Sequence, residues 1–409
     1  MKSGERRAAL LLGAVVSVNA SYTLLIPFVP DLRDRAGAGP TVIALTFALF
    51  AGAKAACQPV GGMWVDRWAP NKVSCLSLLI AATGIVITAL ARDPVTLLAG
   101  RTCWGVGEGL VTPALYAGMS LLCRHYGLST SRMMGSFGTA AVAGFLLGPV
   151  IAVAATAVGL DALFLICAGA TVVTAIGILR TVPDSDSPPA ENPVTDAPMP
   201  AGFAASRWWI WVLIFGALDM FTNLSYSALE PVLPLYLSAA NGSTARTAIS
   251  LVFAVGLAVF GLVSWLLGRF AERLRLLALV RIGLVFAAAG VAGLAGSADV
   301  RPVVVCFSVV MVGQAVLYLT ARRGIAELGS AMARQGRAFG LFGLASDVGN
   351  IIGPIAGVVL YGLTGRLSFL LLGTLSVLVL AALTIAAGGR GRHVEHDPGE
   401  LVPSAGDSA

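Results

Sequence analysis

Residues 19–30 read NASYTLLIPFVP, and residues 223–234 read NLSYSALEPVLP. The two segments align without a gap at an offset of 204 residues, and they share Asn, Ser and Tyr side chains and two prolines. A single match of this kind can arise by chance in a chain rich in small apolar residues. The sequence around the two segments therefore decides whether the chain contains a repeat.

Two further groups of residues recur in the same order, at offsets of 205 and 206 residues. Three ordered matches at a nearly constant offset indicate a duplicated unit. Copies with an even number of membrane spans share one orientation, so they form a parallel repeat about an axis along the membrane normal. The recurring groups are Gly62-x-x-x-Asp66-Arg67 with Gly268-x-x-x-Glu272-Arg273, and Gly135, Gly144, Gly148 and Pro149 with Gly340, Gly349, Gly353 and Pro354.

The composition indicates which solvent surrounds the chain. Of the 409 residues, 57% are hydrophobic and 12% are charged, whereas soluble domains carry roughly 25% charged residues. This is too little polar material to cover a soluble fold, so we predict an all-α integral membrane protein. The net charge of +6 is divided among short clusters between apolar runs, which argues against a nucleic-acid partner.

Twelve apolar runs are long enough to cross a bilayer, for which a helix needs roughly 20 residues. They form two sets of six, which predicts two pseudo-symmetric six-helix bundles around a central cavity. The predicted spans lie near 8–30, 42–65, 73–91, 95–122, 133–157, 160–180, 208–238, 247–268, 276–297, 302–321, 338–364 and 367–388.

The predicted order along the chain is a first bundle, a cytoplasmic linker rich in Pro, Asp and Ser, a second bundle and a disordered cytoplasmic tail. The first span resembles a signal peptide, but it continues to Pro30 and recurs in the second half, so we expect a retained helix. With the N-terminus inside, 19 of the 27 Lys and Arg residues lie on the cytoplasmic side. The positive-inside rule then predicts a multi-pass protein of the cell membrane with both termini cytoplasmic. The four parts are 1–181, 182–206, 207–388 and 389–409.

Three motifs carry a resemblance to a known family. Pro59-x-x-Gly62-x-x-x-Asp66-Arg67-x-x-x-x-Lys72 resembles the signature loop of the major facilitator superfamily. Arg101-x-x-x-Gly105-x-Gly107 is similar to the second motif of that superfamily. Gly135-x8-Gly144-x3-Gly148-Pro149 is similar to the antiporter motif of its proton-coupled drug exporters.

The resemblance implies a twelve-helix transporter that works by alternating access. It implies that the Asp66 loop latches the two halves on the cytoplasmic side in the outward-open state, with Gly62 permitting close helix approach. It also implies that the Gly and Pro residues of span 5, repeated in span 11, bend the helix and favour export. The residues of these conformational motifs are Gly62, Asp66, Arg67, Lys72, Gly135, Gly144, Gly148, Pro149, Gly349, Gly353 and Pro354.

Six charged residues lie well within the predicted spans, where charge is costly and usually functional. None falls on spans 3, 6, 9 or 12, which by resemblance face the lipid, so we predict that the six line a central cavity. A rise of roughly 1.5 Å per residue puts four of them near the middle of a roughly 30 Å core. These four are Lys54, Glu108, Asp219 and Asp347, and the two nearer the outer face are Arg101 and Glu230.

We predict a proton-coupling site made of Lys54, Arg101, Glu108, Asp219 and Asp347. An acid beside a Lys stays ionised, whereas an acid in apolar surroundings exchanges its proton near neutral pH. Glu108 is the first candidate, because Arg101 precedes it by seven residues on the same helix face, and Asp219 is the second. The alternative is a static structural ion pair.

Polar and aromatic side chains within the spans are candidates for contacts with a small-molecule substrate. The paired Asn19 and Asn223 suit this role, with interhelical hydrogen bonding as the alternative. Trp104 is placed to stack on an aromatic or cationic ligand, with plain packing as the alternative. The predicted substrate-binding residues are Asn19, Tyr22, Lys54, Trp104, Glu108, Asp219, Asn223, Tyr226, Glu230, Gln314, Asp347 and Asn350.

The favoured function is a proton-coupled antiporter that exports small amphipathic or cationic compounds. Proton-coupled import of a metabolite is the second candidate, and a membrane-embedded enzyme or non-transporting receptor is the third. No nucleophile–base set, metal cluster or nucleotide-binding loop in the sequence supports an enzyme, and we predict no metal and no cofactor. The expected partners are the substrate, protons and membrane lipid, and the expected state is a monomer.

Overall fold

A computed structural model of the chain describes residues 3–128, 130–154, 159–182, 208–270, 275–296, 298–330 and 335–391. Within these ranges the chain forms twelve long helices and no strand, and each helix matches one predicted span. The helices are α1 Ser3–Leu24, α2 Pro40–Arg67, α3 Pro70–Leu90, α4 Pro94–Tyr126, α5 Thr130–Ala154, α6 Leu160–Thr181, α7 Trp208–Asn241, α8 Ala245–Phe270, α9 Leu276–Gly293, α10 Val300–Ser330, α11 Gln335–Thr364 and α12 Leu367–Gly391.

Ten of the helices are long and apolar enough to cross a membrane. The apolar part of α12 within the described ranges, Leu367–Val379, is shorter, and α7 carries two carboxylates and two internal prolines. The predicted all-α membrane architecture is confirmed. The predicted linker from residue 183 and the tail from residue 392 lie outside the described residues, and α12 continues three residues into the predicted tail.

The first predicted span is not one continuous helix. α1 ends at Leu24, a 3₁₀ turn follows at Ile26–Phe28, and a short helix continues over Val29–Arg35. Pro27 and Pro30 have no backbone N–H to donate, so the hydrogen-bond ladder is interrupted here. The equivalent prolines of the second half remain inside the single helix α7.

Local signals fix the ends of α4, the longest helix of the first half. The Asp93 carboxylate caps its start and accepts hydrogen bonds from the Thr96 hydroxyl at 2.6 Å and the Thr96 backbone N–H at 2.9 Å. These two bonds hold the pKa of Asp93 below its ordinary value. Gly127 ends the helix with a φ of 62°, a conformation that glycine adopts without strain.

The two halves, α1–α6 and α7–α12, pack with the same pattern of helix pairs. In the first half, α1 packs on α5, α4 packs on α2 and α3, and α3 packs on α6. In the second half, α7 packs on α11, α10 packs on α8 and α9, and α9 packs on α12. Two equivalent contacts join the halves, α2 with α11 and α5 with α8. The duplication in the sequence is therefore present in the packing.

Glycines let α5 lie directly against the backbone of α1. A methyl group at Gly144 would come within 2.6 Å of the Val16 carbonyl oxygen, and one at Gly148 would come within 2.6 Å of the Ala20 carbonyl oxygen. The Thr23 hydroxyl donates to a backbone carbonyl of α5 at 2.9 Å. Small residues of this kind are the usual means of close helix packing in membranes.

The same contact recurs between α7 and α11. A methyl group at Gly353 would come within 2.6 Å of the Leu224 carbonyl oxygen, and one at Gly349 would overlap the Met220 carbonyl oxygen. The Ser227 hydroxyl donates to the Gly349 carbonyl at 3.2 Å. Each half therefore contains one rigid helix pair built around two glycines. Gly135 also lies on α5, and the internal prolines of these helices are Pro149 and Pro354.

Apolar cores distinguish the two ends of the molecule. At one end, a single cluster of buried side chains contains residues of both halves, including Phe28, Phe164 and Phe253. At the other end the buried side chains form two separate clusters, one around Leu115 in the first half and one around Leu284 in the second. We call the end with the single shared cluster the closed end. It holds the α1–α2 and α7–α8 connections.

An ion pair also joins the two halves at the closed end. Arg246 at the start of α8 contacts Asp31 of the short helix after α1, with oxygen–nitrogen distances of 2.5 and 3.3 Å. The guanidinium carbon of Arg246 also lies 4.8 Å from the centre of the Phe28 ring. Apolar and charged contacts therefore hold this end together.

We predict that Gly148→Ala lowers the melting temperature of the purified protein in detergent, followed by tryptophan fluorescence. The new methyl group meets backbone atoms of α1, and overpacking of this kind costs about 1–3 kcal/mol. The matched control is Gly138→Ala on the same helix, where an added methyl group meets no atom within 4 Å. Equal melting temperatures for the two variants would contradict the packing described for α1 and α5.

Candidate functional site

Glycines of α4 bring that helix against the backbones of α2 and α3. Added methyl groups at Gly105 and Gly109 would overlap the carbonyl oxygens of Phe50 and Lys54 on α2, and one at Gly107 would overlap the backbone of α3. The side chains that follow these glycines on α4 are thereby placed beside α2. This contact brings together the two charged residues described next.

An ion pair links α2 to α4. Lys54 Nζ lies 3.2 Å from Glu108 Oε2, and Trp104 Nε1 donates to Glu108 Oε1 at 3.1 Å. The Glu108 side chain is 3% exposed, whereas that of Lys54 is 32% exposed. The seven-residue spacing predicts Arg101 as the neighbour of Glu108, but the direct partners of Glu108 are Lys54 and Trp104, and Arg101 acts on it at longer range.

Arg101 is completely buried among aromatic rings. Its Nε donates to the Thr46 carbonyl at 3.2 Å. Nη1 and Nη2 have no hydrogen-bond partner among the described residues. A guanidinium is weakly hydrated and stacks well on aromatic faces, which explains why it is tolerated here. The guanidinium carbon lies 4.3 to 5.7 Å from the ring centres of Phe50, Trp104, Tyr22 and Phe47.

Glu230 connects the two halves. The Tyr22 hydroxyl of α1 donates to Glu230 Oε2 of α7 at 2.7 Å. Tyr226, one turn earlier on α7, also acts on this carboxyl group. Glu230 is 2% exposed, and its Oε1 has no partner in the described part of the chain. Arg101 lies within electrostatic range of it.

Two further carboxylates lie on the second half. Asp219 on α7 is fully buried, and its Oδ2 is 3.1 Å from the Asn223 Nδ2, which also donates to Ser346 of α11 at 2.9 Å. Asp347, next along α11, is partly exposed and lies within electrostatic range of Asp219 and of Lys54.

The six embedded charges therefore form one electrostatic network that involves both halves. Lys54 of the first half, which is paired with Glu108, acts on Asp347 of the second half across the α2–α11 contact. On the side of the closed end, Arg101 of the first half acts on Glu230 of the second. The network connects the helices that must separate and rejoin if the two halves rock.

The other predicted substrate contacts are placed in different surroundings. Asn19 is partly exposed and donates to the Val15 carbonyl of its own helix at 2.8 Å. Trp104 is buried and packs on the rings around Arg101. Gln314 on α10 is buried, and its Nε2 has no hydrogen-bond partner within the described ranges. Asn350 on α11 is partly exposed.

The signature loop between α2 and α3 lies at the end opposite the closed end. Asp66 is exposed, and it forms no hydrogen bond or ion pair with the residues that the structure describes. Arg67 and Lys72 are exposed. An added methyl group at Gly62 meets no atom within 4 Å, whereas one at Gly61 comes within 2.7 Å of a carbonyl oxygen of α4. The close helix approach expected at Gly62 is therefore made by Gly61 instead.

Some residues of this network were not selected from the sequence. Phe47 and Phe50 face Arg101, and their spacing of three residues on α2 is the signal that could have placed them on one helix face. Asp31 and Arg246 form the closed-end ion pair across 215 residues of chain, and no local pattern marks them.

Comparison with known proteins now identifies the family. The Major Facilitator Superfamily model matches residues 10–317 and 219–403. The chain belongs to the Major Facilitator Superfamily. It is a transporter and not an enzyme, and it moves small molecules across a membrane.

Relatives of known name within the superfamily are distant. Multidrug resistance protein 1 of Bacillus subtilis (strain 168) is 22% identical over 351 residues, which is 85% of this chain and 87% of that protein. Multidrug resistance protein 2 of the same organism is 26% identical over 140 residues, or 34% of each chain. A probable sulfoacetate transporter of Cupriavidus necator is 33% identical over 84 residues, or 20% of each chain.

Solved structures share the fold at low identity. The nucleoside transporter NupG superposes with a TM-score of 0.74 at 14% identity. The alignment covers 94% of this chain and 99% of the NupG chain. A bacterial homologue of the human lysosomal transporter Spinster, in an inward-facing and unoccupied conformation, has a TM-score of 0.73 at 14% identity, covering 93% and 96%. At these identities the likeness supports the superfamily fold alone.

We predict that Lys54→Met destabilises the protein by about 2 kcal/mol, because it leaves a buried carboxylate without its cation. This is less than the roughly 3–5 kcal/mol typical of fully buried pairs, since Lys54 is about one-third exposed. The double variant Lys54→Met/Glu108→Gln removes both charges and should recover most of the loss. Thermal unfolding of both variants measures the coupling, and strictly additive effects would contradict the ion pair.

Proposed function

We propose that this superfamily member is a proton-coupled antiporter that exports small amphipathic or cationic compounds. The observation that carries the proposal is the Lys54–Glu108 pair. Its Lys54 lies on α2, the helix that contacts α11 of the other half, and is within electrostatic range of Asp347. A carboxylate whose counterion can move to another acid is able to exchange a proton as the halves move.

The proposed role of Glu108 follows from its two hydrogen-bond partners. In the conformation described, Lys54 and Trp104 both stabilise the charged form. When the α2–α11 contact rearranges, Lys54 can turn towards Asp347, and Glu108 is then a buried acid without a cation. In that state it takes up a proton. Asp219 and Asp347 are the corresponding groups of the second half.

The balance of charges supports a cationic substrate. The six embedded groups comprise two cations, Lys54 and Arg101, and four acids. Arg101 is enclosed by aromatic rings, so the partly exposed cation is Lys54. A substrate cation can replace Lys54 beside Glu108 and Asp347. Two relatives that carry the name multidrug resistance protein favour export, as does the glycine motif of α5 by resemblance.

We propose that the closed end faces the outside of the cell. The Lys and Arg distribution supports cytoplasmic termini, and with that orientation the conformation described opens inward. The Asp66 loop then lies on the cytoplasmic side, where its latch forms only when that side closes. The protein is proposed to be a monomer of the cell membrane, with two bundles joined by a cytoplasmic linker.

The orientation can be tested with single cysteines in a cysteine-free variant. Ala240→Cys lies at the closed end, and Arg67→Cys lies at the opposite end, and both positions are exposed. We expect a membrane-impermeant maleimide to label position 240 in intact cells and position 67 only after lysis. The reverse labelling pattern would contradict the proposed topology.

Transport can be tested in proteoliposomes that contain a trapped pH-sensitive dye. When a substrate enters by antiport the lumen becomes more alkaline, and when it enters by symport the lumen becomes more acidic. We expect alkalinisation with lipophilic cations such as tetraphenylphosphonium or ethidium. Acidification, or a response only to sulfonated carboxylates or nucleosides, would contradict the proposed function.

We expect Glu108→Gln to abolish substrate-driven proton movement while leaving downhill substrate exchange measurable. A glutamine can keep the hydrogen bond from Trp104 but cannot carry the proton. The matched control is Asp34→Asn, an exposed carboxylate at the closed end, which should behave like the wild type. Coupled transport by Glu108→Gln with an unchanged pH dependence would remove Glu108 as the proton carrier.

A further inference from the structure

Glu230 is a buried acid at the junction of the two halves, and no cation of the described residues forms an ion pair with it. Its side chain belongs to α7, it is 2% exposed, and no ion pair within the described ranges includes it. Oε2 accepts a hydrogen bond from the Tyr22 hydroxyl at 2.7 Å, and Oε1 is buried with no hydrogen-bond partner among the residues described. Burying a charged carboxylate without a paired cation costs free energy. The burial of Glu230 therefore needs a physical reason.

The enclosure of Glu230 limits what it can bind. Both Glu230 and the neighbouring Arg101 are almost or completely inaccessible to solvent, so neither has room for a substrate molecule in this conformation. A proton adds no volume and removes the charge. It is therefore the ligand that the closed arrangement can hold.

We propose that Glu230 binds a coupled proton, and that its hydrogen bond with Tyr22 makes closure of the closed end depend on that proton. The inference rests on the proposed proton-coupled function and adds a second acid to it. Glu108 exchanges its proton beside the substrate, whereas Glu230 controls whether α1 and α7 stay together.

The groups around Glu230 allow it to gain or lose a proton, because none of the described ones is a cation in direct contact with it. Tyr22 on α1 and Tyr226 on α7 act through their hydroxyl groups, and Lys54 on α2 and Arg101 on α4 act at longer range to favour the charged form. The charged groups on the other helices that pack against α7 interact with residues other than Glu230. Arg246 of α8 pairs with Asp31, and Arg322 of α10 acts on Asp219. Asp347 of α11 faces Lys54 and Asp219.

The direction of the effect follows from burial. With the proton bound, Glu230 is neutral, and the Tyr22 hydrogen bond can persist within the shared apolar core. Without the proton, the charge is stabilised by water, which reaches it only when α1 and α7 separate. Low pH should therefore close this end and high pH should open it. If this end faces outward, external protons drive the change from outward-open to inward-open, as antiport requires.

The test measures the closed-end distance directly, without substrate and without a gradient. Spin labels at Thr41→Cys on α2 and Ala240→Cys on α7, both exposed, report the distance between the halves in a cysteine-free protein in nanodiscs. Between pH 5.5 and 8.5 we expect the ratio of closed to open molecules to fall by about tenfold or more, a change that one differentially bound proton can produce.

Three variants separate the proposal from a general effect of pH. Glu230→Gln should stay closed at every pH, because the amide is neutral and can keep the Tyr22 bond. Tyr22→Phe should lower the ratio of closed to open molecules about fivefold at pH 5.5, the usual effect of one lost hydrogen bond. Asp31→Asn is the matched control: it removes the ion pair at the same end, so it should loosen closure and keep the pH dependence.

A pH response that persists in Glu230→Gln would overturn the inference, and so would a Tyr22→Phe variant that matches the wild type. The Tyr22→Phe comparison can still overturn the inference if Glu230→Gln cannot be purified. Because the measurement needs no substrate, failure of the antiport experiment would not affect it. A pH-insensitive closed end together with coupled transport would reject Glu230 alone and leave the proposed function standing.

Discussion

A charge inside a bilayer must be paired, hydrogen-bonded or neutralised, and in this protein that requirement is met by helices of both halves. Glu108 has Lys54, Asp219 has Asn223, and Glu230 has a tyrosine from the opposite half. The Tyr22–Glu230 bond joins the two halves directly, and Lys54 lies within electrostatic range of Asp347 across the α2–α11 contact. Movement of the halves therefore changes the stabilisation of these charges. Conformation and charge are thus linked by the desolvation penalty itself.

Glycine placement makes that linkage geometrically possible. In α4, the glycines at 105 and 109 admit the backbone of α2, so that Lys54 and Glu108 meet. In α5 and α11, paired glycines fix each helix on α1 or α7, which also carry Tyr22 and Glu230. The rigid pairs move as units, and their charged side chains move with them. Rearrangement is then concentrated at the contacts between the halves.

Most of the architecture could be predicted from the sequence, because it rests on composition and repetition. Lipid requires long apolar helices, and the recurrence of NASY as NLSY revealed the duplication that the packing repeats. The six embedded charges were also visible, since each interrupts an apolar run. Their partners were not, because Lys54 with Glu108 and Tyr22 with Glu230 meet through tertiary packing across 54 and 208 residues. The sequence also did not show that Gly61 rather than Gly62 faces α4. The two differ only in which side of α2 they occupy, and a uniformly apolar helix has no hydrophobic periodicity that identifies the packed side.

The two ends of the molecule differ in the chemistry of their surfaces and contacts. Phe28, Phe164 and Phe253 share one apolar core at the closed end, while the opposite end presents charged loops such as that of Arg67. Apolar association weakens on cooling, and salt screens exposed charges. Temperature therefore acts on the apolar core of the closed end, whereas ionic strength acts on its Arg246–Asp31 pair and on the charged loops of the opposite end. The resting conformation of purified protein depends on its buffer even before any ligand is added.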